Sequence, residues 1–157
     1  MQSKKEYPPI SQKLNIILAE DDFDDRFLFE EAIQELPVSV QINTFNNGEK
    51  LMEWLSDKKN NLPDALFLDL NMPRKNGFAT LAEIKKNPEL QDLPVIIFST
   101  ATNKEMINQV FKDAAHYYIR KPVHFWELKE LIYKSLKLIA ENQTALPGKE
   151  SFMLTTD

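Results

Sequence analysis

The chain has no cysteine and only two histidines. The first absence removes disulfides, thiolate catalysis, zinc–sulfur sites and iron–sulfur clusters together. The two histidines, His116 and His124, stand far along the chain from its acidic cluster, which counts against a histidine metal site. Long apolar runs are missing too. None approaches the roughly 18 residues of a membrane span, and residues 1–13 lack the apolar stretch of a signal peptide. Basic charge is in deficit: 19 Lys and Arg against 24 Asp and Glu leave a net charge of −5. A phosphate-binding surface needs a basic patch, so nucleic acid is a poor partner. These absences lead us to expect a soluble, cytoplasmic protein with neither a nucleic-acid nor a membrane partner. What is present is an ordinary globular balance, 43% hydrophobic and 27% charged over 157 residues, which excludes disorder along the whole length and suits one domain. The acids are concentrated. Glu20 to Glu35 holds eight acids and one base, a net of −7, so the remaining residues sum to +2.

Apolar periodicity alternates along the chain. Residues 14–19 form a short branched run of the kind that suits a strand buried on both faces. From residue 24 to 36 the spacing of Phe29, Ala32, Ile33 and Leu36 predicts an amphipathic helix, stopped by Pro37. The alternation repeats with strands predicted at 38–45, 65–68, 95–98 and 117–119. Helices are predicted at 48–56, 78–86, 106–115 and 123–141. Residues 1–13, with Pro8 and Pro9, read as an extended arm, and 142–157 as a loose, flexible tail. Five strands alternating with five helices imply one parallel sheet covered on both faces, in a domain spanning 14–141.

Ligands of open α/β sheets bind beyond the carboxyl ends of the strands. Glu20, Asp21 and Asp22 follow the first strand. Asp69, Leu70 and Asn71 follow the third, Ser99, Thr100 and Ala101 the fourth, and Arg120, Lys121 and Pro122 the fifth. Carboxylates, a hydroxyl and an ammonium therefore converge on one edge. Packed carboxylates repel, and a hard divalent cation relieves the repulsion, with oxygen ligands suited to Mg²⁺. A lysine and a hydroxyl beside them suit phosphoryl oxygens, and a carboxylate can itself attack phosphorus. An aspartate at a strand end is, taken alone, a commonplace turn or cap residue. The combination points to magnesium-dependent phosphorylation of an aspartate.

In this order and spacing, Ile16-Ile17-Leu18-Ala19-Glu20-Asp21, Asp69-Leu70-Asn71-Met72-Pro73 with Gly77, Ser99-Thr100-Ala101 and Lys121-Pro122 resemble the CheY-like receiver domains of two-component response regulators. Glu-Asp-Asp-Phe-Asp-Asp-Arg and Met-Pro-Arg-Lys-Asn-Gly further resemble the small stand-alone regulators paired with phytochrome-type kinases. The resemblance implies a flavodoxin-like doubly wound five-stranded sheet, order 2-1-3-4-5. It implies that Asp69 is the phosphoacceptor, that Asp21 ligates Mg²⁺ directly with Glu20 acting through water, and that Asn71 gives its backbone carbonyl. Thr100, directly before Ala101, matches the family hydroxyl; Ser99, one residue back, should point elsewhere. Lys121 matches the family lysine, and Pro122 after it suggests a cis peptide. Tyr118 takes the switch-aromatic position, and Thr102 and Asn71 are placed to influence phosphoryl lifetime. The implied donor is a histidine kinase or histidine phosphotransfer domain. Ala114 stands where the family usually has glycine, so the fourth helix needs a different cap. Two other readings use the same residues: a phosphorylation-independent binding module, and a phosphohydrolase, which would want an acid where Asn71 stands.

Helical geometry selects three aromatic residues away from the apolar stripes. Phe27 lies opposite Phe29 and Ile33 on the first helix, and suits docking of the kinase or phosphotransfer domain. Trp126 and Tyr133, seven apart on the last helix, are read with Tyr118 as a surface for a homodimer or a downstream target. Tyr7 or Ile10 of the arm offers an alternative, intramolecular cover.

Overall fold

The computed structural model describes residues 5–141 and 145–157. Five strands, β1 (Ile10–Ala19), β2 (Val38–Phe45), β3 (Ala65–Leu68), β4 (Val95–Ser99) and β5 (Tyr117–Arg120), pair in parallel in the order β2-β1-β3-β4-β5. The helices are α1 (Phe23–Gln34), α2 (Gly48–Ser56), α3 (Gly77–Lys86), α4 (Lys104–Lys112), α5 (Phe125–Ala140) and a short α6 (Lys149–Phe152). The sheet is the expected doubly wound one.

Strand alternation sorts the core into two layers. Leu14, Ile16 and Leu18 of β1, Phe67 of β3 and Phe98 of β4 face α1 and α5, meeting Phe29, Ile33, Leu128 and Ile132. Phe29 sets its ring edge-on to Phe67 at 5.0 Å and to Phe98 at 5.5 Å. Ile17, Leu66, Leu68, Val95 and Ile97 face the other way, against Leu51, Leu81, Ile84 and Val110 of α2, α3 and α4. Each fully buried side chain of this kind contributes about 2 kcal/mol. Both faces of the three central strands are therefore apolar, which is why their sequences read as runs rather than alternations.

Several boundaries differ from expectation. β1 starts at Ile10, not 14, because the Ile10 N–H reaches the Pro37 carbonyl at 3.0 Å and Ile10 pairs with Val38 across a register shift. That pairing is made by backbone, and Ser11, Gln12 and Lys13 are exposed, so no apolar pattern announces it. α4 starts earlier and stops at Lys112, where Ala114 takes φ 67°. The Ala115 N–H bonds the Val110 carbonyl and the Ala114 N–H bonds the Phe111 carbonyl, both at 3.1 Å. This is a Schellman cap with alanine in the left-handed position where glycine is the usual occupant.

The described part of the C-terminal segment is not a loose tail. Phe152 is 1% exposed, Met153 bridges Tyr118, and the Leu154 N–H donates to the Tyr118 carbonyl at 3.0 Å. Residues 142–144 of the expected tail lie outside the described residues. The cis peptide suggested at Pro122 is also corrected. Among the described residues every peptide bond is trans, the isomer favoured even before proline.

Candidate functional site

Four strand ends deliver the site. The Glu20 N–H bonds the Phe45 carbonyl (2.9 Å), the Asp69 N–H the Ala19 carbonyl (3.0 Å) and the Lys121 N–H the Ser99 carbonyl (2.9 Å). Each bond carries the ladder one residue past its strand and fixes where the next side chain leaves the sheet. Asp69 is held from below as well. A Cβ on Gly77 would lie 2.3 Å from the Asp69 carbonyl oxygen and 2.7 Å from the Leu70 Cα. The chain after Asp69 therefore turns back over its own backbone at a distance open only to glycine, and the Gly77 N–H bonds the Leu70 carbonyl at 3.0 Å.

Lys121 is the centre of the constellation. Its ammonium lies 2.5 Å from Glu20 Oε1, 2.8 Å from Asp25 Oδ2 and 3.6 Å from Asp69 Oδ2. It also sits over the Phe98 ring, 5.1 Å from the centroid. Burial draws the lysine pKa down, but the bonds to Asp25 and Glu20 and the charge of Asp69 outweigh it, and the net direction is up. Glu20 is fully buried, and its pKa is pushed up to about 8, first by burial, then by its hydrogen bond and charge repulsion with Asp69, with Lys121 acting the other way. Three carboxylates around one ammonium leave an excess of negative charge in a low-dielectric place. One proton or one cation relieves it.

Ligand oxygens of Glu20, Asp21 and Asp69 lie within 4.8 Å of one another. Glu20 Oε1 is completely buried, with the Lys121 ammonium as its counter-charge and no hydrogen bond of regular geometry. An all-oxygen set that carries more negative charge than one ammonium neutralises fits a hard divalent cation. Asn71 is exposed, with its N–H directed at Asp69 Oδ1 at 3.4 Å, and Asp21 is exposed at the rim.

The two hydroxyls at the end of β4 differ in burial. Thr100 is exposed, just beyond β4. Ser99 is fully buried, on the same strand face as Val95 and Ile97, and its Oγ accepts the Ala101 N–H at 3.1 Å. Its nearness to the Tyr118 phenol opposes the upward pKa push that burial gives the tyrosine. The two-residue strand period separates the two hydroxyls without saying which of them faces Tyr118. Tyr118 is fully buried and donates its hydroxyl to the Ala101 carbonyl at 2.9 Å.

Asp25 stands outside the site residues read from the sequence. Its signal was its place four residues after Asp21, on the first turn of a helix that Asp22 caps by accepting the Asp25 N–H at 3.0 Å. That spacing turns it back toward the sheet edge.

The aromatic surfaces divide. Phe27 is 51% exposed and stacks on exposed Phe23 at 6.4 Å. Trp126 is exposed beside His124. Tyr133, expected to be exposed with it, is buried under the Tyr7 ring at 4.7 Å, and its hydroxyl donates to the Pro8 carbonyl. The intramolecular alternative is the one found: the arm covers that part of α5. Tyr118, being interior, is not part of any free surface.

Residues 16–133 match the family model described as "Response regulator receiver domain". Response regulator Rcp1 of Synechocystis sp. is 27% identical over 121 residues, 74% of this chain and 82% of the relative. The solved structure of the phosphorylated cyanobacterial phytochrome response regulator RcpA is 31% identical, with a TM-score of 0.74 over 87% of this chain and 100% of that one. The Mn(2+)-bound form of Rcp1 gives 0.73 at 25% identity over 86% and 99%. Among the described residues no helix is long and apolar enough to cross a membrane.

Proposed function

This chain belongs to the family of response regulator receiver domains, and from that premise we propose that it takes a phosphoryl group from a phosphohistidine donor onto Asp69 with Mg²⁺ and relays the change to a partner. The observation that carries the reading is the convergence of Lys121 on Glu20, Asp25 and Asp69 beside a cation-fitting carboxylate set. Glu20, Asp21 and Asp69, with the Asn71 carbonyl, would hold the metal. When bound, it supplies charge neutralisation for both the attacking carboxylate and the phosphoryl oxygens.

The protein's own residues do the rest. An Asp69 carboxylate oxygen attacks phosphorus as the P–N bond to histidine breaks, and the departing nitrogen keeps the electron pair. Positioning and charge stabilisation dominate such a transfer. Lys121 then binds one phosphoryl oxygen, and we assign the second contact to the Ser99 hydroxyl in place of exposed Thr100. Drawing Ser99 toward the phosphoryl group changes the surroundings of the Tyr118 phenol and favours the buried position its ring holds, biasing a two-state element at α4 and β5. Slow hydrolysis of the acyl phosphate, with Asn71 and Thr102 at the rim, resets the switch. The exposed Phe23–Phe27 pair on α1 suits the docking of a cytoplasmic histidine kinase or phosphotransfer domain, and Trp126 is the part of α5 left free for a second copy or a target. The test uses a labelled small acyl phosphate with Mg²⁺. Wild type takes up one label per chain and Asp69→Asn none; full labelling of that variant would sink the assignment.

A further inference from the structure

The phosphorylation chemistry leaves unexplained why the C-terminal segment packs so closely on β5. β5 is an edge strand, whose outer N–H and C=O groups would otherwise face solvent. Met153 bridges Tyr118, and the Leu154 N–H takes the Tyr118 carbonyl at 3.0 Å, so the segment adds a short parallel partner to that edge. Phe152 inserts between two elements: its ring is edge-on to Phe111 of α4 at 5.2 Å and to Tyr118 of β5 at 6.1 Å. The segment's end is tied to α5. Lys134 bonds the Thr155 carbonyl and Asp157 Oδ1, and the Asp157 N–H reaches buried Glu130 Oε2 at 2.7 Å.

Tyr118 is the residue through which this packing meets the site. From one end its backbone holds the segment. From the other its phenol holds the Ala101 carbonyl, two residues beyond Ser99. Phe152, itself 1% exposed, sets its ring edge-on against the fully buried Tyr118 ring at 6.1 Å.

We propose that residues 149–157 are a regulatory latch: docked on β5, they hold Tyr118 inside, and their docking is thermodynamically coupled to the state of Asp69. The proposal rests on the phosphorylation reading above. Phosphorylation draws Ser99 toward Asp69 and favours the inward tyrosine. The docked segment favours the same position, so the two reinforce each other. Linkage makes the effect reciprocal: the segment raises the affinity of the site for a phosphoryl group by the factor with which phosphorylation tightens the segment. The same docking shields the outer edge of β5, so that edge is closed to a partner in the phosphorylated state and opens when the segment leaves.

The test compares the full chain with Phe152→Ala, which removes the wedge, and Leu154→Pro, which removes the donor to the Tyr118 carbonyl together with the leucine side chain. Hydrogen exchange of residues 149–157 is followed with Mg²⁺, with and without beryllofluoride, a phosphoryl mimic. The concentration of beryllofluoride giving half-saturation is read for each chain. In wild type, protection of the segment rises on saturation by about 5-fold or more. Both variants need a correspondingly higher mimic concentration while keeping the wild-type far-ultraviolet spectrum. Unchanged or reduced protection on saturation, or unchanged half-saturation in both variants, overturns the latch. A wild-type chain that takes no label from a small acyl phosphate at Asp69 would instead overturn the phosphorylation reading, so the two failures are told apart.

Discussion

Glu20 and Gly77 show what single residues contribute to this site. Glu20 is a fully buried carboxylate whose pKa rises to about 8 from an ordinary 4.5. The folded chain thus binds a proton that the unfolded chain gives up in that interval. Its contribution to stability is complete below pH 4.5 and is lost as pH rises through about 8. In chelator, the thermal midpoint should fall by a few degrees between pH 5 and pH 8, and Glu20→Gln should flatten that slope. A slope retained by the variant would assign it to another group. Gly77 acts by having no side chain. A Cβ would enter the backbone of Asp69 and Leu70, so Gly77→Ala should cost about 2 kcal/mol, as overpacking does, seen as a lower denaturation midpoint. Labelling at Asp69 should slow by more than the unfolded fraction explains, because the strain falls on the phosphoacceptor's own backbone. Both residues were legible in the sequence. Ser99 and Asp25 were less so: choosing Ser99 over Thr100 needs the orientation of one strand face, and Asp25 needs the position of Lys121 in space.

The elements were legible wherever burial on both sides left a run or a stripe. β3 is all apolar and β4 is apolar up to Ser99, and α1 carries Phe29, Ala32 and Ile33 at helical spacing. Elements held by backbone pairing or by a few contacts left little trace. The first residues of β1 and the bridge at Met153 belong to this class. The end of α4 is an intermediate case. The missing glycine was visible, yet alanine accepts the same left-handed cap, at φ 67°. That conformation costs an alanine roughly 1–2 kcal/mol, while glycine gives back part of the gain through its freer unfolded chain. Ala114→Gly should therefore stabilise the fold by about 0.5–1 kcal/mol, a rise in thermal midpoint of roughly 2–3 °C. A lower midpoint would show that the cap is relaxed as it stands.

At the scale of the whole molecule, both termini converge on one side of the sheet. Lys5, Lys134 and the Asp157 backbone meet at Glu130, which is 2% exposed on α5. Tyr7 covers Tyr133 and Phe152 covers Tyr118. A sequence read in consecutive windows sees two polar ends without periodicity. Their role arises only from where the intervening sheet brings them, which is why an arm and a tail were expected and a clasped α5–β5 side was found. The acidic excess of residues 20–35 has a comparable resolution. Glu20 and Asp25 share Lys121, brought from more than ninety residues further along the chain, while Phe23 and Phe27 stay outside. The account stands or falls on Asp69 carrying the phosphoryl group. After incubation with a small acyl phosphate and Mg²⁺, borohydride reduction converts a phosphorylated aspartate to homoserine, and peptide mass mapping locates it. Conversion at Asp69 alone is the predicted result; conversion at another carboxylate, with Asp69 intact, would contradict it.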